Sequence, residues 1–87
     1  MNIAFTDDAW DDYLYWHQYD KILFKKINTL IADIRRTPFS GLGKPEPLKF
    51  GLHGLWSRRI DQEHRLVYKI VGDQLVGVQC RYHYKSK

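Results

Sequence analysis

The end of the chain carries residue types suited to acid–base and anion-binding chemistry. Apolar and polar residues alternate between positions 76 and 84. Read with the two-residue period of a β-strand, this segment has two different faces. One face holds Val76, Val78, Cys80 and Tyr82, and the other holds Gly77, Gln79, Arg81 and His83. The pattern predicts a strand that presents a guanidinium and an imidazole together on a sheet surface.

Glu46 is a carboxylate held between two prolines in the segment Gly43-Lys-Pro-Glu-Pro-Leu-Lys49. Proline fixes the backbone φ angle and lowers loop entropy, and the flanking lysines favour the ionised form that a general base requires. A carboxylate base and an imidazole acid are a competent pair for phosphodiester transesterification. The base takes the ribose 2′-OH proton, and the acid protonates the leaving 5′ oxygen. A surface Glu that only balances its neighbouring lysines is the alternative, and residue types alone favour it.

Basic side chains occur on each of the strand-like segments in the second half of the chain. If these segments pair side by side, Arg59, Arg65, Arg81 and His83 can converge on the sheet face away from the helices. Guanidinium groups match phosphate geometry and can stabilise a pentacovalent phosphate as charge builds on it. The alternative is a solvent-facing sheet surface with ordinary charges.

Metal and thiol chemistry do not fit the spacing. Cys80 and His83 point to opposite faces of an extended strand and lie roughly 10 Å apart, too far for one zinc ion with ligands at about 2.0–2.3 Å. The remaining histidines, His17, His53 and His64, show no metal-site spacing. Cys80 faces the core as a small hydrophobe, and no base is suggested for Ser57. We therefore expect neither a metal nor another cofactor.

Composition predicts one folded domain over residues 1–87, with 44% hydrophobic and 15% aromatic residues. A single cysteine suits a reducing cytosol, and neither a signal peptide nor a membrane-spanning run is visible. Five basic and six acidic residues occupy positions 1–37, whereas nine basic and four acidic residues occupy positions 38–87. The basic half indicates a polyanionic partner, nucleic acid first, although a solvated basic surface is the alternative.

Two helices and a set of short strands must position these side chains. Residues 2–5 read as a strand, and Thr6 is a candidate cap for a helix with Trp10, Tyr13, Leu14 and His17 on one face. A second helix from Asp20 has the apolar stripe Leu23, Ile27, Leu30, Ile31 and Ile34, and Pro38 ends it. Strand-like runs follow at residues 55–60, 64–70 and 74–84. We expect an α+β fold in which an antiparallel twisted sheet packs on a two-helix hairpin.

Several segments of the chain resemble, in order and without a gap over residues 2–84, the YoeB toxins of the RelE-like superfamily. The segments are Trp10-Asp-Asp-Tyr13, Lys25-Lys-Ile-Asn28, Arg35-Arg-Thr-Pro-Phe39, Gly43-Lys-Pro-Glu-Pro-Leu-Lys49, Trp56-Ser-Arg-Arg-Ile60, Glu63-His-Arg-Leu-Val-Tyr68 and Cys80-Arg-Tyr-His-Tyr84. These proteins are the toxin halves of bacterial toxin–antitoxin modules. The resemblance implies a microbial-ribonuclease-like, RelE-like fold.

The resemblance also implies an activity and a set of partners. The activity is metal-independent cleavage of mRNA in the ribosomal A site, which leaves a 2′,3′-cyclic phosphate and a 5′-hydroxyl. The partners are the ribosome with its translated mRNA, a YefM-type antitoxin, operator DNA through the antitoxin complex, and a second copy of the chain in a homodimer. By position, Glu46 matches the general base, His83 the general acid and Arg65 the phosphate-stabilising arginine. Lys49, Arg59 and Tyr84 match supporting substrate contacts.

One departure from the family pattern lies at the C-terminus. Many members end at the position of Tyr84, whereas residues 85–87 follow here and add two positive charges. Two alternatives to an enzyme stay open from sequence: an RNA-binding module that blocks translation by occupying the basic face, and a co-repressor that acts with its antitoxin on operator DNA. The first predicts that inhibition survives loss of Glu46 and His83.

Overall fold

The computed structural model describes residues 1–49 and 54–84. Two helices precede most of a five-stranded sheet with the strand order β1-β5-β4-β3-β2. The elements are β1 (Asn2–Phe5), α1 (Asp7–Tyr19), α2 (Lys21–Arg36), β2 (Glu46–Pro47), β3 (Trp56–Arg59), β4 (Arg65–Val71) and β5 (Gln74–Gln79). The α+β prediction is confirmed. No helix in these described ranges is both long and apolar enough to cross a membrane.

The helical hairpin forms where the sequence predicts it, because polar side chains cap both helices. Thr6 Oγ1 accepts the N–H of Ala9 at 3.2 Å, and Asp20 Oδ1 accepts the N–H of Leu23 at 3.1 Å. Such caps satisfy amide donors that the first helical turn leaves without partners. Asp20 alone separates α1 from α2, so the two helices are held side by side.

The apolar stripe of α2 is the centre of the core, as predicted. Ile27, Leu30, Ile31 and Ile34 are buried, and they join a cluster with Leu66 and Tyr68 of β4. One face of the sheet is thereby covered by helix. Because side chains alternate along a strand, residues 65, 67 and 69 of β4 lie on the opposite face, which is free to form a site.

The predicted apolar face of α1 is wrong. Trp10 and Leu14 are 47% and 44% exposed, whereas Trp16 is buried. Two polar bonds explain the rotation of the helix: the Trp16 indole N–H donates to the carbonyl of Cys80 at 2.8 Å, and the Cys80 N–H donates to the Asp12 carboxylate at 3.0 Å. These bonds satisfy the backbone at the end of β5, which apolar periodicity does not take into account.

The sheet is mixed, which corrects the prediction of a purely antiparallel sheet. β3 to β5 form the expected antiparallel meander, and residues 46–47, predicted to be in a loop, add the short edge strand β2. However, β1 pairs with β5 in parallel, with Asn2 opposite Gln74. The hairpin carries the chain from β1 to the far edge of the sheet, and the meander then runs back until β5 lies beside β1. A parallel pair needs such a long crossover connection.

The terminal strand is shorter than predicted, and different side chains of it point into the core. β5 ends at Gln79, and the pairing shifts between Val67–Gln79 and Tyr68–Gly77, which leaves Val78 as the extra residue of a β-bulge. A bulge reverses the alternation of side chains. Consequently Leu75, Gly77 and Cys80 are buried, whereas Val76 and Val78 are not. Tyr82, predicted to be apolar core, is 45% exposed.

A buried arginine holds the loop between α2 and β2. The Arg58 side chain is fully buried and forms an ion pair with Asp33. It also donates to Tyr68 Oη and to three loop carbonyls, those of Thr37, Ser40 and Leu42. A hydrogen bond from the Leu42 N–H, and then the Arg58 guanidinium, lower the pKa of the Asp33 carboxyl. This network sets the path of the chain towards Glu46.

Candidate active site

A cleft of about 380 Å³ lies on the sheet face opposite the helices. Its walls come from the 44–49 segment, β3, β4 and the C-terminal residues. The lining residues are Lys44, Glu46, Leu48, Lys49, Ser57, Arg59, Arg65, Val67, His83 and Tyr84. Six of the seven predicted site residues therefore line one cleft. These residues lie far apart in the sequence, so it is the tertiary fold that brings them together.

Glu46 is presented by a segment fastened to the sheet at both ends. Arg59 N–H donates to the Gly43 carbonyl at 2.7 Å, and Leu48 N–H donates to the Leu55 carbonyl at 2.9 Å. Between these bonds Glu46 pairs with Ser57. The prolines are compatible with this short edge strand, but the backbone bonds to β3 set the position of the carboxylate.

Gly43 is required where the segment meets β3. Its φ angle is +78°, and an added Cβ would lie 3.0 Å from both the Arg59 carbonyl oxygen and Leu30 Cδ2. A larger residue would be strained by its backbone conformation and crowded by these atoms. The close approach keeps the Glu46 segment against the sheet.

Arg65 is anchored through one nitrogen at the start of β4, where it pairs with Arg59 across the ladder. One terminal nitrogen of its guanidinium donates to the carbonyls of Asp61, His64 and Gln62, at 2.7, 3.1 and 3.3 Å. These three bonds restrain the guanidinium, and none of them uses its other two nitrogens. An arginine held in this way suits phosphate, which takes parallel N–H donors.

His83 and Tyr84 reach the cleft from a bend, not from a strand. Residues 80–84 follow β5 and are here called the terminal bend. The Gln79 side chain donates to the carbonyls of Arg81 at 2.7 Å and His83 at 2.8 Å. His83 thus lies in the same cleft as Arg65, but on a bend and not on the predicted strand. Its exposed side chain is accessible to a substrate.

Arg81 does not converge with the other arginines, which corrects the prediction from strand alternation. Its guanidinium carbon lies 3.6 Å from the centre of the Tyr15 ring, and the side chain lines a second cleft of about 330 Å³ with Asp8, Asp11 and Asp12. The end of β5 at Gln79 turns Arg81 towards these helix carboxylates. The acidic residues of α1 are the sequence signal that could have indicated this.

His64 is a structural feature of the site that sequence reasoning left open. It is 7% exposed, and its Nδ1 accepts the N–H of Tyr82 at 2.7 Å. A buried histidine one residue before Arg65 therefore contacts the terminal bend. Period-two patterns cannot reveal this contact, because it depends on where the bend leaves the sheet.

The described residues offer no metal cluster and no reactive thiol. Within 1–49 and 54–84, no three His, Cys, Asp or Glu side chains are grouped to hold a metal ion; His53 lies outside these ranges. Burial, and secondarily the charge of Asp12, raise the pKa of the Cys80 thiol to about 12. Cys80 is fully buried, as predicted, and its thiol is not available as a nucleophile at neutral pH.

Comparison with known proteins decides the family. The profile of the YoeB-like toxin of bacterial type II toxin–antitoxin systems matches residues 5–84. This chain belongs to the YoeB-like toxin family. Among similar sequences is Toxin YoeB of Escherichia coli strain K12, which is 60% identical over 84 residues, covering 97% of this chain and all of the relative.

Solved structures of YoeB proteins have the same fold. The YoeB/ParE toxin from Agrobacterium tumefaciens has a TM-score of 0.93 and 51% identity, with 97% of this chain and 100% of that chain covered. Staphylococcus aureus YoeB has been solved as a dimer, with a TM-score of 0.91, 47% identity and coverage of 97% and 98%. It has also been solved in a heterotetrameric YoeB–YefM complex, with a TM-score of 0.89 at the same identity and coverage.

Proposed function

We propose that this YoeB-family toxin is a metal-independent endoribonuclease that cleaves mRNA in the ribosomal A site and so inhibits translation. The observation that carries the proposal is the cleft itself, in which a carboxylate, an imidazole and two arginines from separate segments lie together. This constellation provides a base, an acid and a stabiliser for developing negative charge, the three parts that transfer at phosphorus requires.

The reaction is an in-line attack by a ribose 2′-OH on the adjacent phosphodiester. Glu46 takes the 2′-OH proton, and the 2′ oxygen forms a bond to phosphorus. Arg65 stabilises the charge on the pentacovalent phosphate. The bond from phosphorus to the 5′ oxygen then breaks as His83 donates a proton to that oxygen. The products are a 2′,3′-cyclic phosphate and a 5′-hydroxyl, with no net gain or loss of protons.

The other cleft residues hold the RNA. Lys49 and Arg59 are cations at the walls of the cleft, and Tyr84 offers a ring and a hydroxyl beside His83. Cationic side chains neutralise backbone phosphates, and an aromatic ring stacks on a base. A contact between Arg81 and RNA stays a prediction. Because the Arg81 side chain lies outside the cleft, such a contact would be made there.

The partners follow from the family and from the surface. We infer a YefM-type antitoxin and a homodimer, as solved for the S. aureus relative, with operator DNA bound only through the antitoxin complex. Ile3, Trp10 and Leu14 are large apolar side chains that the described part of the chain leaves exposed, and exposed apolar residues are common at protein interfaces. We place the toxin in the cytoplasm, where the ribosome is found.

Primer extension on mRNA with purified ribosomes tests this function. The wild-type toxin is expected to produce discrete cuts within codons, dependent on ribosomes and insensitive to EDTA concentrations that leave ribosomes intact. Glu46→Gln and His83→Ala are each expected to lower the cleavage rate by about 10²–10⁴-fold, the usual contribution of a positioned acid or base. Both side chains are exposed, so the melting temperature should stay unchanged.

Matched controls separate chemistry from charge. Asp73→Asn removes an exposed carboxylate outside the cleft, and His17→Ala removes an exposed imidazole on α1; both should cleave at the wild-type rate. If Glu46→Gln and His83→Ala still block translation as strongly as the wild type, the RNA-binding inhibitor is the correct function and the nuclease is not.

A further inference from the structure

The terminal bend holds a residue in an unfavourable backbone conformation. Tyr82 has a φ angle of +62°, in the left-handed region that bulky residues with a Cβ rarely occupy. Strained residues persist only where surrounding contacts over-determine them, and they concentrate at functional sites. Tyr82 immediately precedes His83, so its conformation determines where the proposed acid lies.

Two backbone hydrogen bonds hold Tyr82 in this conformation. Its N–H donates to His64 Nδ1 at 2.7 Å, and its carbonyl accepts the N–H of Arg65 at 3.0 Å. The consecutive residues His64 and Arg65 thus bind both sides of the strained residue. The same bonds connect the proposed acid, His83, to the proposed phosphate-stabilising arginine.

His64 is itself fixed from three directions. Its own N–H donates to Asp61 Oδ1 at 2.7 Å, and the Trp16 ring packs edge-on with its centre 4.7 Å away. Its Nε2 lies 3.7 Å from Glu63 Oε2. Since Nδ1 accepts a hydrogen bond, the proton of the neutral ring is on Nε2, on the side of Glu63.

We propose that His64 is a positioning residue for the RNA-cleavage reaction, which acts by accepting the Tyr82 N–H and thereby holds His83 and Tyr84 in the cleft. The proposal rests on the proposed function for its catalytic consequence. His64 does not line the cleft, and its imidazole acts through the bend.

The geometry requires neutral His64. A proton on Nδ1 would face the Tyr82 N–H, and two donors cannot bond to each other. A side chain without a free acceptor at the place of Nδ1 would lose the Tyr82 bond and release the bend.

Two substitutions separate the acceptor from the volume of the side chain. In His64→Asn the amide oxygen can occupy the place of Nδ1 and accept the same hydrogen bond. In His64→Gln the amide reaches the place of Nε2, so the side chain is closer in size to histidine but has no acceptor opposite Tyr82. His17→Asn, on the exposed side of α1, is the control for replacing an imidazole elsewhere.

The first test is the cleavage rate at saturating ribosomes. We expect His64→Gln to lose on the order of 10²-fold, the cost of a misplacement of about 1 Å in a catalytic group. His64→Asn should stay within roughly tenfold of wild type, since its acceptor is retained. Equal losses in both variants would overturn the proposal.

The second test needs no catalysis. In ¹⁵N-labelled wild-type protein, the Tyr82 amide should show a scalar coupling to an unprotonated His64 Nδ1, and it should exchange slowly with solvent. The coupling should persist in His17→Asn, whereas in His64→Gln the exchange of the Tyr82 amide should be faster. A protonated Nδ1 at neutral pH, or unchanged Tyr82 exchange in His64→Gln, would refute the clamp whatever the activity. A coupling present in a protein that does not cleave mRNA would uphold the clamp and reject the nuclease.

Discussion

Glu46 and His83 reach one cleft from chain segments that are fixed by backbone bonds, not by their own side chains. Neighbouring residues carry the restraints: Gly43 and Leu48 on one side, Gln79 and Tyr82 on the other. The two proposed catalytic side chains are left exposed. Preorganisation by the second layer of contacts is what keeps catalytic groups close to their productive geometry.

Arg65 is the residue at which charge and geometry can be separated. Lysine keeps the positive charge but cannot bond the turn carbonyls and a phosphate with one planar fork. Arg65→Lys is therefore expected to bind programmed ribosomes within a few-fold of wild type while its cleavage rate falls about 10²-fold. Quench-flow cleavage and ribosome sedimentation measure the two quantities.

The matched control for Arg65 lies on the same strand. Lys69 is exposed on β4 and does not line the cleft, so Lys69→Ala should cleave at the wild-type rate. Wild-type cleavage by Arg65→Lys would show that the arginine supplies only charge.

At the scale of elements, the Arg58 network determines how the loop from α2 delivers Glu46. Arg58→Met removes a buried guanidinium that serves Asp33 and three carbonyls. The carbonyls that lose their donor are left without a partner, which costs about 1–3 kcal/mol for a buried acceptor, so the free energy of unfolding in urea should fall by about that amount. Arg35→Met, an exposed arginine near the end of α2, should change it little, and equal losses would argue against the network.

The same network predicts a pH dependence of stability. Because the folded-state pKa of Asp33 is lowered, its contribution is complete above the ordinary carboxyl pKa of about 4. It is lost as the pH falls through the lower folded value. The stability difference between wild type and Asp33→Asn should therefore be largest near pH 6 and shrink in acid. A difference that grows in acid would contradict the assignment.

The orientation of an element was predictable where one strong apolar pattern decides it. It was not predictable where hydrogen bonds to other segments decide it. The stripe of α2 and the strand β4 follow their periods because burial alone decides which face is inward. The orientation of α1 depends on Trp16 and Asp12 binding the backbone of Cys80. The bulge at Val78 reverses the alternation of β5, and the neighbouring Gly77 is the local residue that could have indicated it. Glu46 and Arg65 reach the same cleft because β2 and β4 flank β3 in the sheet, whereas the position of Arg81 depends on the bend.

In the molecule as a whole, the two faces of a single sheet have different roles. One face packs on the helical hairpin, and the other carries the cleft. The excess of basic residues in positions 38–87 corresponds to the segments that build this second face. Most of the fold therefore acts as a support that holds the edge segment, β4 and the terminal bend in place.

The proposed attacking group is the ribose 2′-OH of the mRNA, and a single 2′-deoxy substitution removes it. The cut site on a programmed ribosome is first mapped with an all-ribose message, and the nucleotide on its 5′ side is then replaced by its 2′-deoxy form. Cleavage there is predicted to disappear, while the all-ribose message yields a 2′,3′-cyclic phosphate and a 5′-hydroxyl. Efficient cutting of the deoxy message, or a 5′-phosphate product, would contradict the mechanism.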